Sequence, residues 1–278
     1  MRARYRSLAL AALLALCLGA SDPSLLETGS PRKVAPPPAS AEIRVVSYNV
    51  RYPDIEGVKR IAETLRTDRE IGGAAIVALQ EIDRNKKRTG NANTARALAD
   101  ELGMHYAWAG QPRRGEDDEE EDTGIALLSV YPISAVERLV LPHNGPGGRR
   151  RVALGATVHL KPEPVRVWVV HSERRIPVKE RLEQLQTVLD ALARGPNADR
   201  TIVLGDFNSF RIVEETGALF TKAGFSTPIP SDVPTLEVAF LKTKLDWIWL
   251  RGLRATGGGV ARHVDHSDHS PVWVDVRR

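Results

Sequence analysis

One cysteine, few aromatic residues and no long apolar run set the first limits on this 278-residue chain. Cys17 is the sole thiol, so no intrachain disulfide and no multi-thiolate metal centre can form. The apolar run from Leu8 to Leu18 falls short of the roughly 20 residues that a membrane-spanning helix needs. Aromatic residues make up 5% of the chain, and no aromatic hairpin of the kind that docks on lipid stands out. A large excess of one sign of charge is also missing. The formal net charge is +4, and removing Arg2, Arg4 and Arg6 would leave +1. That balance permits a phosphate-bearing substrate without giving the footprint of a nucleic-acid binder.

The N-terminus carries a pattern of its own. Arg2, Arg4 and Arg6 precede the apolar run, and Gly19-Ala20 follow it, so residues 1–20 read as a secretory signal. The expected location is periplasmic or extracellular. Leu14-Ala15-Leu16-Cys17 loosely resembles a lipoprotein cleavage site, which would make Cys17 a lipid anchor, although Leu16 is bulky for its position. Residues 21–41 contain Pro23, Pro31, Pro36, Pro37 and Pro38 and no hydrophobic periodicity, and are expected to form a flexible tether. One α/β domain is expected over residues 42–278.

Within that domain, Ile43 to Tyr48, Ala74 to Leu79, Ile125 to Ser129, Val152 to His159, Val165 to Val170, Ile202 to Leu204, Trp247 to Leu250 and Val272 to Val276 read as strands. Val58 to Leu65, Thr94 to Leu102 and Val178 to Leu192 carry helical spacing. Several strands connect directly to strands, so the sheets are expected to be mixed.

Polar residues repeat one theme. Asn49, Glu81, His171, Asp206 with Asn208, Asp246, and Asp268 with His269 each border an apolar run. Any one of them is an ordinary turn or capping residue. A carboxylate at the end of a buried run is costly without a partner, which makes Glu81 and Asp246 harder to dismiss. Carboxylates, an amide and imidazoles together suit binding of a hard divalent cation, activation of water and stabilisation of an anion.

Taken in order, Ser47-Tyr48-Asn49-Val50-Arg51, Leu79-Gln80-Glu81-Ile82-Asp83-Arg84, Gly124-Ile125-Ala126-Leu127-Leu128-Ser129 and Val169-Val170-His171 resemble the endonuclease/exonuclease/phosphatase superfamily. Leu204-Gly205-Asp206-Phe207-Asn208, Leu245-Asp246-Trp247-Ile248 and Ser267-Asp268-His269-Ser270-Pro271 continue the resemblance. It implies a DNase I-like four-layer sandwich, with two mixed β-sheets packed face to face and helices outside. It implies a metal-dependent phosphoesterase of the phosphodiesterase or nuclease type. A phosphatase, a phospholipase C-like lipid phosphodiesterase and an inactive binding protein on the same scaffold are the alternatives. By resemblance, Glu81 is the main metal ligand, with Asn49 beside it and Asp268 in support. Asp206 would position or deprotonate the attacking water with Asn208, His171 and His269 would contact phosphate, and Asp246 would orient His269. The implied cofactor is Mg²⁺ or Mn²⁺, with Ca²⁺ as an alternative. The implied partner is a phosphoester, nucleic acid included, bound by a monomer. The chain departs from the pattern at Val170, at Ile125 and in Ser172-Glu173-Arg174-Arg175, which bears on substrate contacts.

Other patterns invite other readings. His263, His266 and His269 are spaced three apart and raise a zinc site, although the segment reads as a loop. Glu116 to Asp122 are seven consecutive acids, expected as a solvated loop rather than a calcium site. Arg149-Arg150-Arg151 and Arg174-Arg175 are either solvated surface or phosphate contacts.

Overall fold

A computed structural model describes residues 23–114, 121–195, 199–238 and 241–277. The expected signal, residues 1–20, lies outside them, as do residues 116–120 of the acidic run. Strands run in the order β1 (Leu26–Gly29), β2 (Glu42–Asn49), β3 (Ile76–Arg84), β4 (His105–Gly110), β5 (Asp122–Ser129), β6 (Ile133–Val140) and β7 (Val152–Val158). They continue with β8 (Val165–His171), β9 (Thr201–Asp206), β10 (Leu236–Val238), β11 (Leu241–Thr243), β12 (Asp246–Arg251), β13 (Arg254–Val260) and β14 (Val272–Arg277). Among the described residues the α-helices are α1 (Ile55–Thr67), α2 (Thr94–Leu102), α3 (Val178–Arg194) and α4 (Val213–Lys222).

The strands form a seven-stranded sheet, β1-β4-β5-β3-β2-β14-β13, a five-stranded sheet, β12-β9-β8-β7-β6, and the small hairpin β10-β11. Both large sheets are mixed, with β2 parallel to β3 and β8 parallel to β9. The expected architecture is therefore present.

Alternation of side chains separates the layers. Val165, Val167 and Val169 of β8, Ile202 and Leu204 of β9, and Ile248 and Leu250 of β12 join the core that also holds the large sheet and the apolar faces of α1 and α2. Their neighbours Trp168, Val170, Val203, Trp247 and Trp249 turn the other way, onto Leu185, Val188 and Leu192 of α3 and Phe220 of α4. Asp54 caps α1 by accepting from the Gly57 N–H at 2.7 Å, and Asn93 caps α2 from the Arg96 N–H at 2.9 Å.

Two expectations need correction. The segment read as a tether is not loose throughout: Leu26–Gly29 pair antiparallel with β4, and Leu25 is buried. Glu27 fixes this edge strand, accepting from Tyr106 Oη at 2.5 Å and from Arg96 at 2.8 Å. Short strands with one proline nearby give too few residues for periodicity to register. The acidic run is not uniformly solvated either. Asp122 is buried in β5 and accepts from Arg84 at 2.6 Å and from Arg113 at 2.9 Å.

Candidate active site

The alternation that fills the core also aims the site. His171 ends β8, Asp206 ends β9 and Asp246 begins β12. Asp206 is registered opposite both His171 and Asp246, so the three stand side by side across adjacent strands. Each continues the series that faces the other sheet. Gly205 makes this close approach possible: its φ is +140°, and a Cβ there would lie 2.0 Å from the Val170 carbonyl oxygen.

The second sheet contributes Asn49 and Glu81. Asn49 ends β2 and donates to Asp206 Oδ2 at 3.1 Å. Glu81 departs from the expected strand end. Strand β3 runs on to Arg84, and Glu81 is an extra residue between the pairs Gln80–Ile125 and Ile82–Gly124, with φ +57°. Such a bulge turns a side chain out of the ladder and is a common device beside active sites. Glu81 Oε1 thus comes within 4.0 Å of His171 Nε2. Arg51, Tyr52 and Asn208, which border the site, also have positive φ.

The floor is closely wired. His269 Nδ1 lies 2.8 Å from Asp246 Oδ2, which also accepts from Thr235 Oγ1 at 2.6 Å. That hydroxyl in turn accepts the backbone N–H groups of Leu245 and Asp246. Asp206 Oδ2 lies 3.6 Å from His171 Nε2 and 3.9 Å from His269 Nε2. Asp206 Oδ1 accepts the Asn208 N–H at 2.9 Å, and the Asn208 side chain donates to the Ser172 carbonyl. Arg151 Nη1 lies 3.3 Å from His171 Nδ1. A guanidinium only donates, so Nδ1 accepts and the proton of the neutral imidazole sits on Nε2, toward Asp206 and Glu81.

The charges follow from these contacts. Burial pushes the Asp206 carboxyl up, His269 opposes that, and Asp246 adds to it. Burial works against a charge on His269, but Asp246 and Asp206 outweigh it and hold the imidazolium well above its ordinary range. Burial, then Arg151, then His269 drive His171 far below that range, so it stays neutral. Tyr52 is pushed up to about 12 by burial and by Glu81, and its ring carries the Arg88 guanidinium 3.5 Å from its centre.

Above this floor is a cleft of about 340 Å³ whose lining includes Glu81, His171, Asp206, Asn208, Asp268 and His269. Asn49 and Asp246 are buried below it and act on it through Asp206 and His269. Asp268 lines the cleft but pairs with Arg51 at 3.1 Å. All eight residues singled out in the sequence therefore meet at one end of the sheets. Thr235, Tyr52 and the Arg151–His171 contact escape sequence reasoning; Thr235 sits in an unpatterned loop, and only the basic cluster signals Arg151. The zinc reading fails: His263 pairs with Asp68 at 2.7 Å and His266 meets Thr64 at 2.8 Å, both away from His269.

Residues 46–269 match the model of the Endonuclease/Exonuclease/phosphatase family. The chain belongs to that family. No curated protein matches its sequence. Among solved structures, an endonuclease/exonuclease/phosphatase family protein from Leptotrichia buccalis is 17% identical with a TM-score of 0.64, covering 85% of this chain and 100% of its own. The mannosyl-6-phosphatase of Bacteroides thetaiotaomicron is 18% identical with a TM-score of 0.61, over 84% of this chain and 99% of its own. Sphingomyelinase C from Streptomyces griseocarneus is 16% identical with a TM-score of 0.56, over 84% and 99%. These likenesses establish the fold. The family groups hydrolases of phosphoester bonds, typically dependent on a divalent metal.

A cation fits the donors present. Asp206, Asp246 and His269 offer ligand atoms within 4.8 Å of one another, a set that can hold a metal. The Asp246 Oδ1 atom is buried and has no hydrogen-bond partner. However, a protonated His269 bound to Asp246 repels a cation, whereas Glu81 is a carboxylate in the open cleft.

Proposed function

We propose that this chain is a divalent-metal-dependent hydrolase of phosphoesters, exported from the cell. The observation that carries the reading is the cross-strand row His171–Asp206–Asp246, closed by His269 below and faced by Asn49 and Glu81 from the other sheet.

Glu81, with Asn49 and Asp268 near it, would hold Mg²⁺ or Mn²⁺, because hard oxygen donors suit those ions. When bound, the ion supplies charge neutralisation at the phosphoryl oxygens. The rest falls to the chain. Asp206, raised by burial, is poised to accept a proton from an attacking water, and Asn208 and Asn49 fix its carboxylate. His171 offers a neutral Nε2–H and His269 a charged one, both directed at the space where phosphoryl charge grows. Asp246 and Thr235 fix the orientation of His269.

Val238 and Leu241 are exposed apolar side chains on the β10–β11 hairpin, whose Leu236 lines the cleft, and they favour a lipid phosphodiester as the second reading. The arginines of the cleft weigh against a choline-bearing headgroup.

The test is turnover of bis-p-nitrophenyl phosphate, p-nitrophenyl phosphate and phosphatidylinositol vesicles with Mg²⁺, Mn²⁺ or Ca²⁺. Activity on a soluble ester that EDTA abolishes supports the reading, and faster turnover of vesicles supports the second. No turnover of any of them leaves the inactive-scaffold alternative standing. Fractionation of the source cell tests export.

A further inference from the structure

Arg149, Arg151, Arg174 and Arg175 line the cleft together with Glu81, Asp206 and Asp268, and with Arg51, which pairs with Asp268 at 3.1 Å. One carboxylate answers the first two of these guanidinium groups. Glu173 is fully buried and accepts from Arg149 Nε and Nη2, each at 2.9 Å, and from Arg151 Nε at 3.3 Å. Its Oε1 also takes the Arg175 backbone N–H at 2.9 Å. Gln184 holds the segment from behind, its Oε1 accepting the Glu173 N–H at 2.8 Å. Glu173 therefore has nothing left for the side chains of Arg174 and Arg175. Both are exposed at the rim, and neither has a carboxylate partner among the described residues.

The arginines thus fall into two groups. Arg149 and Arg151 are held rigid by Glu173, and Arg151 is already engaged with His171. Arg174 and Arg175 project from a braced turn into a concave space that retains positive charge. Unpaired positive charge in a concave space concentrates the opposite charge, and guanidinium groups match phosphate oxygens in geometry as well as charge. The phosphoryl group being cut belongs between the two histidines and Glu81, so it does not use them.

We propose that Arg174 and Arg175, backed by Arg149, form a second anion subsite, and that the substrate is a compact molecule carrying a phosphate beside the phosphoester that is cleaved. The second phosphate lies on the guanidinium pair while the first lies over His171 and His269. The size of the cleft, about 340 Å³, suits a small molecule. A nucleic-acid duplex would need a basic surface wider than this cleft. The inference rests on the hydrolase reading for which bond is cut, but not for the binding of the second phosphate.

Calorimetry on the metal-free full chain separates the two. The probes are fructose 1,6-bisphosphate, fructose 6-phosphate and a single-stranded thymidine oligonucleotide, with the wild type and the double variant Arg174→Ser/Arg175→Ser. Both positions are exposed, so an unchanged melting temperature certifies the fold of the variant. The bisphosphate should bind the wild type at least tenfold more tightly than the monophosphate, and that ratio should fall to within twofold in the variant. Equal affinity of the two sugars for the wild type overturns the proposal, as does a ratio the variant leaves intact. An oligonucleotide that binds more tightly than the bisphosphate and loses more in the variant also overturns it, in favour of a polynucleotide track. Failure of the hydrolase reading would show separately, as absent turnover with the binding preference still in place.

Discussion

Arg151 Nη1 lies 3.3 Å from His171 Nδ1, so a permanent cation adds to burial in holding the imidazole neutral and fixes its proton on Nε2. A histidine wired this way serves as a hydrogen-bond donor to developing phosphoryl charge rather than as an imidazolium acid. Replacing Arg151 by methionine keeps the bulk and removes the lock. His171 should then titrate closer to neutral pH, with a mixture of tautomers in ¹⁵N spectra, and turnover should fall about tenfold. An unchanged imidazole spectrum would show that Arg151 only packs there.

Glu81→Gln removes a charge from a residue exposed to the cleft and leaves the bulge that presents it. Turnover should drop about 100-fold at limiting Mn²⁺ with an unchanged melting temperature. Near-wild-type rates across a metal titration would take Glu81 out of the metal site.

Asp246 and His269 share one hydrogen bond at 2.8 Å and should behave as one unit. Asp246→Asn and His269→Ala should each cost about 10²-fold in kcat. The double variant should cost little more than either, because both remove the same oriented imidazolium. Losses that multiply would separate the two residues.

Glu173 contributes to stability in a pH-dependent way. Burial works against its charge, but the Arg175 N–H and the Arg151 and Arg149 guanidinium groups outweigh burial and hold the carboxyl below its ordinary value of 4.5. A depressed carboxyl contributes fully above its unfolded pKa, and that contribution disappears as pH falls through the folded one. Glu173→Gln should therefore destabilise the fold by about 3 kcal/mol at pH 7, since it strands partly buried guanidinium groups. The difference from wild type should shrink as pH falls below about 4.5, as read by urea midpoints at several pH values. A constant difference down to pH 3 would mean that the charge of Glu173 contributes nothing.

Gly205 separates shape from chemistry. Its φ of +140° and the 2.0 Å approach to the Val170 carbonyl leave no room for a methyl group. Gly205→Ala should cost about 3 kcal/mol or more, from backbone strain and overlap together. A melting temperature equal to wild type would contradict the close packing of β8 on β9.

Much of this site is legible in the chain itself. His171, Asp206 and Asp246 stand out because each borders an apolar run, and a period of two carries each onto the face that Val169, Leu204 and Ile248 occupy. Strand alternation is a local property, so the sequence by itself determined which side chains could share a face. It could not determine which strands would be neighbours. That β9 lies between β8 and β12, with Asp206 level with both partners, is a matter of sheet order and register, set by contacts between residues far apart in the chain. The same holds for Glu81, whose bulge exists only relative to β5, and for β1, which is too short to form except against β4. Thr235 and Arg151 give no readable sign of their partners, because a hydrogen bond across 11 or 20 positions depends on where two loops and strand ends come to rest. The residue types fixed which chemistry was available, and tertiary packing alone decided their distances, their charge states and the arginines gathered around them.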